Sequence, residues 1–204
     1  MKRKIELLKT CRVIGVIDAA DEQQALRLAQ LYESGGVMAL LVRLSKHAPV
    51  SLLSALGERY SSSMVIGAGN VTDADTAFEA VEAGARFIET PSFDTAIFKT
   101  CGNLSVPAIP EAFSPGEVRR ALALGAEIVE LYPAVSLGAD YFELMKNDHP
   151  AAAFMAAGGV TEENAARFAG AGADLIRADF SRWAADEALF VRKVKAILSA
   201  AQSV

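Results

Sequence analysis

The stretch "SMVIGAGNVTDADTAFEAVEAGARFIET", residues 63–90, holds one complete structural unit. Residues 63–70 form a short apolar run that ends on glycines and an asparagine, as a buried parallel strand does. Residues 73–85 follow as an amphipathic helical pattern closed by Gly84. A second apolar run, residues 86–90, then begins. Strand, helix, strand at this spacing is a βα repeat.

The same unit recurs in both directions along the chain. Apolar runs occupy 12–18, 38–44, 63–70, 86–90, 106–111, 127–133, 152–160 and 173–180. Helical patterns lie between them. In residues 21–36, Ala25, Leu28, Ala29 and Tyr32 share one face and Gly35–Gly36 close it. In residues 114–126, Ser114 reads as the N-cap, with Pro115 at the first helical position and Glu117 completing a capping box. Thr161 opens the next pattern, and residues 186–202 hold the last. Helix-closing glycines at 36, 84, 125 and 172 give a weak repeat of roughly 24 residues per unit. Eight even units with no composition break predict a single-domain (β/α)8 TIM barrel over residues 1–204. A doubly wound open sheet is the alternative.

Bulk properties narrow the function. The 204 residues are 52% hydrophobic, enough for one large core. No apolar run approaches the roughly 20 residues needed to cross a bilayer. The N-terminus, "MKRKIELLKTCR", lacks the apolar stretch of a secretory signal and reads as a short helix at about 2–10 that caps a barrel end. A net charge of −5 argues against nucleic acid as a partner. Cys11 and Cys101 are too sparse for a disulfide framework, so a reduced, cytoplasmic setting is expected. His47 and His149 stand alone, without zinc-ligand spacing.

In a barrel of this kind, functional groups gather where strands end and βα loops begin. Those positions hold Asp18, Arg43 to Lys46, Asn70, Glu89 to Pro91, Glu111, Glu130 to Pro133, Gly158, Gly159 and Arg177 to Asp179. Glu130 stands out as a carboxylate inside the apolar run "EIVELYP". A buried charge there needs a partner or a purpose.

The ordered motifs "ESGGVMALLV" (33–42), "GAGNV" (67–71), "ETPS" (89–92), "IPEAFSPGE" (109–117), "YPA" (132–134) and "AAGGV" (156–160) resemble those of the 2-keto-3-deoxy-6-phosphogluconate (KDPG) / 4-hydroxy-2-oxoglutarate (KHG) aldolases. The resemblance covers nearly the whole chain. It implies a homotrimeric (β/α)8 lyase of carbohydrate metabolism that cleaves a 2-keto acid through a lysine imine, without a metal. By the same resemblance the imine lysine falls at Glu130, the glutamate acid/base at Leu41, the carboxylate-binding arginine at Ser45 and a threonine at Asn70. Pro91, Gly158 and Gly159 match the family. Asp179 stands where a phosphate-binding serine belongs, after Arg177 and Ala178 in place of glycines.

A carboxylate cannot form an imine, because the nucleophile must be an amine. Lys46 is the one other lysine expected near that face. Glu130 therefore needs another account. Arg43, on the same strand face as Leu41 by the period-two rule, is the expected partner, and Arg177 the second candidate. One reading is an ion pair plugging a retired site, in a non-catalytic binding or assembly homologue. Another is a repurposed isomerase or decarboxylase for a small anionic 2-keto or sugar acid. In it Glu130, Arg43 and Asn70 do the chemistry, and Pro91, Tyr132, Gly158, Gly159, Arg177 and Asp179 bind substrate. No cofactor is expected. A divalent metal held by Glu89, Glu111, Glu130 and Asp179 is a lesser alternative, opposed by the inward arginines. Asp179 also argues against a phosphorylated substrate. Trp183 is expected to pack on the rim or on a neighbouring subunit. An open cavity lined by Arg43, Asn70 and Glu130 favours an enzyme; a filled one favours the inert homologue.

Overall fold

The computed structural model describes residues 2–45 and 48–203. Lys46 and His47 lie outside the described residues. Among those described, eight strands close into one parallel barrel in chain order. They are β1 Val13–Ile17, β2 Ala39–Arg43, β3 Val65–Gly69, β4 Ile88–Thr90, β5 Ala108–Ala112, β6 Ile128–Leu131, β7 Ala153–Ala157 and β8 Leu175–Ala178. β8 pairs with β1, so the ring has no edge.

The helices are α1 Lys2–Cys11, α2 Glu22–Gly35, α3 Ser51–Tyr60, α4 Ala74–Glu82, α5 Thr95–Asn103, α6 Pro115–Ala123, α7 Ala134–Leu137, α8 Ala139–Asp148, α9 Ala165–Gly170 and α10 Glu187–Gln202. The capping box at α6 is present: the Glu117 N–H donates to Ser114 Oγ, and the Ser114 N–H donates to Glu117 Oε2 at 2.9 Å. Thr161 does not open a helix. Its N–H donates to Asn164 Oδ1, and α9 starts three residues later than that cap would place it.

Strand alternation divides the core in two. Ile14, Val16, Ala39, Leu41, Phe87, Ile109, Ile128, Met155 and Leu175 fill the cylinder, and α1 closes its lower end with Ile5 and Leu8. Leu40, Val42, Val129, Leu131 and Ile176 belong to the outer core, between sheet and helices. Glu130, between Val129 and Leu131, therefore shares the inward face of Ile128. Arg177, two residues after Leu175, shares its inward face.

Gly15 faces outward, and the ring of Tyr32 lies against its backbone. The Tyr32 hydroxyl donates to Val16 O at 2.9 Å and accepts from the Phe180 N–H at 3.3 Å. A Cβ at residue 15 would sit 2.5 Å from that ring, whose hydroxyl is held by both bonds. Gly15→Ala should cost about 1–3 kcal/mol of unfolding free energy in urea titration, because the ring cannot yield without losing its bonds.

Candidate active site

Four inward side chains meet above the apolar layers of the cylinder. Glu89 comes from β4, Glu111 from β5, Glu130 from β6 and Arg177 from β8. Glu111 and Glu130 are register partners on neighbouring strands. The site exists because period-two alternation stacks each of these residues over an apolar one, with Phe87, Ile109, Ile128 and Leu175 below.

Arg177 is the partner of Glu130: its Nη2 donates to Glu130 Oε1. The same nitrogen lies 3.8 Å from Glu111 Oε1. Glu89 turns its Oε2 to the Asn70 N–H at 2.8 Å. Asn70 presents that N–H from a left-handed conformation, φ 62°, which asparagine tolerates better than most residues. Gly69 leaves room beside it, since a Cβ there would meet Glu89 Oε2 at 2.6 Å.

Burial sets the electrostatics. The Glu130 side chain is 0% exposed, Arg177 9% and Glu111 26%. Three carboxylates face one guanidinium, so the cluster holds excess negative charge when all are ionised. Burial, with the Glu89 carboxylate beside it, pushes the Glu111 carboxyl up to about 7 against the pull of Arg177 and Arg43. Burial also pushes Glu130 up, to about 8; Arg177 opposes this, and the charges of Glu89 and Glu111 reinforce it. Three buried atoms of the group have no partner: Glu89 Oε1, Glu130 Oε2 and Arg177 Nε.

Arg43 does not reach Glu130. Its Nη1 donates to Asp18 Oδ2 at 3.0 Å and its Nη2 to Asp179 Oδ2 at 3.4 Å. Arg43 ends β2, one layer above Leu41, so its side chain emerges at the mouth near the β1 and β8 loops. Arg177 instead sits one strand away from Glu130 across β7, and the stagger of the barrel brings the two together. Asp179 is likewise absent from the acid cluster. It accepts from Arg43 and from the Ser181 N–H at 2.9 Å.

A cavity of about 760 Å³ opens above the cluster at the C-terminal barrel face. Arg43, Asn70, Pro91, Tyr132, Gly158, Gly159, Arg177 and Asp179 all line it, and Glu111 forms part of its floor. Glu130 lies beneath, fully buried, so the cavity is open and lined by Arg43 and Asn70 but not by Glu130. The Tyr132 ring stands 5.7 Å from the Arg177 guanidinium carbon. Gly158 and Gly159 have φ of 83° and 78°, and Cβ atoms there would strike Tyr132 and Val135, so packing alone requires both glycines. Sequence reasoning missed Arg182, which also lines the cavity. Its guanidinium lies 3.7 Å from the Trp183 ring centre, and no carboxylate is within salt-bridge distance among the described residues. Trp183 itself packs on Phe180 at 5.7 Å between ring centres. A second cavity, about 270 Å³, lies at the opposite barrel end and is lined chiefly by apolar groups such as Leu7, Met38 and Met64.

Relatives share this architecture. The chain is 29% identical over 164 residues to a 2-dehydro-3-deoxy-phosphogluconate aldolase of Treponema pallidum, covering 80% of this chain and 78% of that protein. It is 26% identical to an Escherichia coli 2-dehydro-3-deoxy-6-phosphogalactonate aldolase over 88% of this chain and 93% of the other. The KDPG aldolase of Legionella pneumophila, solved with pyruvate captured as a covalent carbinolamine, superposes with a TM-score of 0.77 at 24% identity, over 95% of this chain and 93% of that one. The family model described as KDPG and KHG aldolase matches residues 5–186, and with the closed barrel this establishes that the chain belongs to the KDPG/KHG aldolase family.

Proposed function

We propose that this chain is a family member that has left imine chemistry and transfers a proton at the carbon beside the carbonyl of a small anionic 2-keto or sugar acid. The observation that carries the reading is the floor of the cavity. A cluster of carboxylates surrounds the seat that the family resemblance gives to an amine, and Glu111 is the member open to the cavity. No lysine lines this cavity among the described residues. A carbinolamine such as the one captured in the Legionella structure needs an amine, and the family resemblance puts that amine where this chain has Glu130.

In this reading Glu111 takes or gives the proton. Arg177 Nε, a buried donor without an acceptor, meets the substrate carboxylate or keto oxygen. Glu130 is a positioning residue that holds the guanidinium in place. Arg43, Asn70 and Arg182 form the mouth. Asp179 adds negative charge where a phosphate would sit, so the substrate is unphosphorylated. The homotrimer and the cytoplasmic setting implied by the resemblance belong to the same reading, and sedimentation tests the former.

Pyruvate is the probe for the reaction. In deuterated buffer the protein should speed loss of the pyruvate methyl proton signal, and borohydride should trap no covalent adduct by intact mass. Glu111→Gln should lower that exchange by on the order of 10²-fold or more, the usual share of a general base. A trapped adduct, or equal exchange in the variant, would defeat the proposal. A second reading, a non-catalytic binding homologue, draws on the Arg177–Glu130 pair that seals the floor. Pyruvate binding without exchange would select it.

A further inference from the structure

The arrangement of oxygen atoms in the acid cluster goes beyond what proton transfer requires. One carboxylate oxygen from each of Glu89, Glu111 and Glu130 lies within 4.8 Å of the others. Oxygens at that spacing can share one centre about 2.0–2.6 Å from each, the bond length of hard divalent cations. One oxygen of each of two acids is held by a fixed donor: Glu89 Oε2 by the Asn70 N–H, and Glu130 Oε1 by Arg177. The remaining oxygens, Glu89 Oε1 and Glu130 Oε2, are buried and unpartnered. Metal-binding carboxylates are commonly fixed by such a hydrogen bond on one oxygen, which leaves the other for the ion.

Charge agrees with geometry. The three acids exceed Arg177 by two negative charges when ionised, which one divalent cation balances. The objection that arginines repel an ion loses force, because Arg43 is occupied by Asp18 and Asp179 at the rim. Arg177 is tied to Glu130 as an outer partner. All-oxygen ligation by carboxylates, with no Cys or His in the group, selects hard ions over zinc. Glu111, partly exposed, opens the route from the cavity.

We propose that Glu89, Glu111 and Glu130 form a binding site for one hard divalent cation of the Mg²⁺/Mn²⁺ class inside the barrel mouth. The site stands apart from the proton-transfer reading, since it is tested by binding alone. Manganese titrated into the full chain at pH 8, with free Mn²⁺ followed by electron paramagnetic resonance, should show one bound ion per chain. Excess Mg²⁺ should displace it. Glu89→Gln keeps an oxygen to accept the Asn70 N–H, so its fold should survive, and it should weaken Mn²⁺ binding at least tenfold. Glu111→Gln should do the same, with circular dichroism confirming both folds. Wild type that binds no Mn²⁺, or folded variants that bind as tightly as wild type, would refute the site. Mn²⁺ binding without pyruvate exchange keeps the site and removes only the reaction.

Discussion

Arg177→Met should lower the unfolding free energy by about 3–5 kcal/mol at pH 8 in chelator-treated buffer, because it strips a buried carboxylate of its counter-ion. Glu130 is wholly buried and would face Glu89 and Glu111 with no cation between them. Arg43 cannot stand in, since it is bound at the rim. Replacing both partners, as Glu130→Leu with Arg177→Met, should restore most of the loss, because an apolar pair leaves no unpaired charge at residue 130. Urea titration of the single and double variants measures the difference.

The sign of the pH dependence follows from the raised carboxyls. Glu111 and Glu130 titrate near 7 and 8 in the fold, against about 4.3 in an unfolded chain. The folded state therefore binds protons more tightly than the unfolded state does. Their contribution is full below the unfolded value and is lost as pH climbs through 7 and 8. Stability of the metal-free protein should fall between pH 5 and 8, by up to about 1.4 kcal/mol per pH unit for each carboxyl that releases its proton on unfolding. Arg177→Met removes the nearer of the cations opposing the shift, so its curve should fall more steeply and its deficit should shrink at pH 5. A deficit independent of pH would mean the methionine hurts packing rather than charge balance.

The barrel was readable because each of its strands is a short apolar run bounded by glycine, proline or a polar residue. The helices were read less evenly. Those ending near Gly36, Gly84 and Gly125 announced themselves by the glycine that closes them. The α3, α5 and α8 helices end at Tyr60, Asn103 and Asp148, with no glycine directly after to mark their ends. The resemblance put Leu41 and Glu130 at inward positions, and Leu41 does lie in the interior core; period-two alternation added that Arg43 shares the face of Leu41. It could not choose Arg177 over Arg43. That choice depends on the stagger between β6, β7 and β8, a relation between strands that no single run carries. Nor could it separate Glu111, at the open floor, from Glu130 beneath it. Depth within a cylinder is set by shear, whereas sequence spacing reports only which face a residue takes.

The resemblance and the geometry meet in one substitution. Glu130→Lys returns an amine to the seat the family uses for its imine, and it should convert a protein that traps no pyruvate into one that traps one pyruvate per chain with borohydride. The surroundings favour a reactive amine. Full burial lowers a lysine pKa, and the Arg177 guanidinium beside it lowers it further. Glu89 and Glu111 oppose that shift but keep the extra cation from being stranded, since two acids then face two bases. Some stability, about 1–3 kcal/mol, goes to the longer side chain in a packed layer. Aldol cleavage should stay absent, because Leu41 occupies the position where the resemblance puts an acid/base glutamate. Leu41 is itself buried against the Gly69 backbone, and a second change there, Leu41→Glu, would put a carboxyl back at the position where the resemblance places the acid/base. Intact mass and peptide mapping after reduction read the result. A folded Glu130→Lys protein that forms no adduct would show that the seat is closed to pyruvate, and an adduct on the wild-type chain would show that another amine serves it.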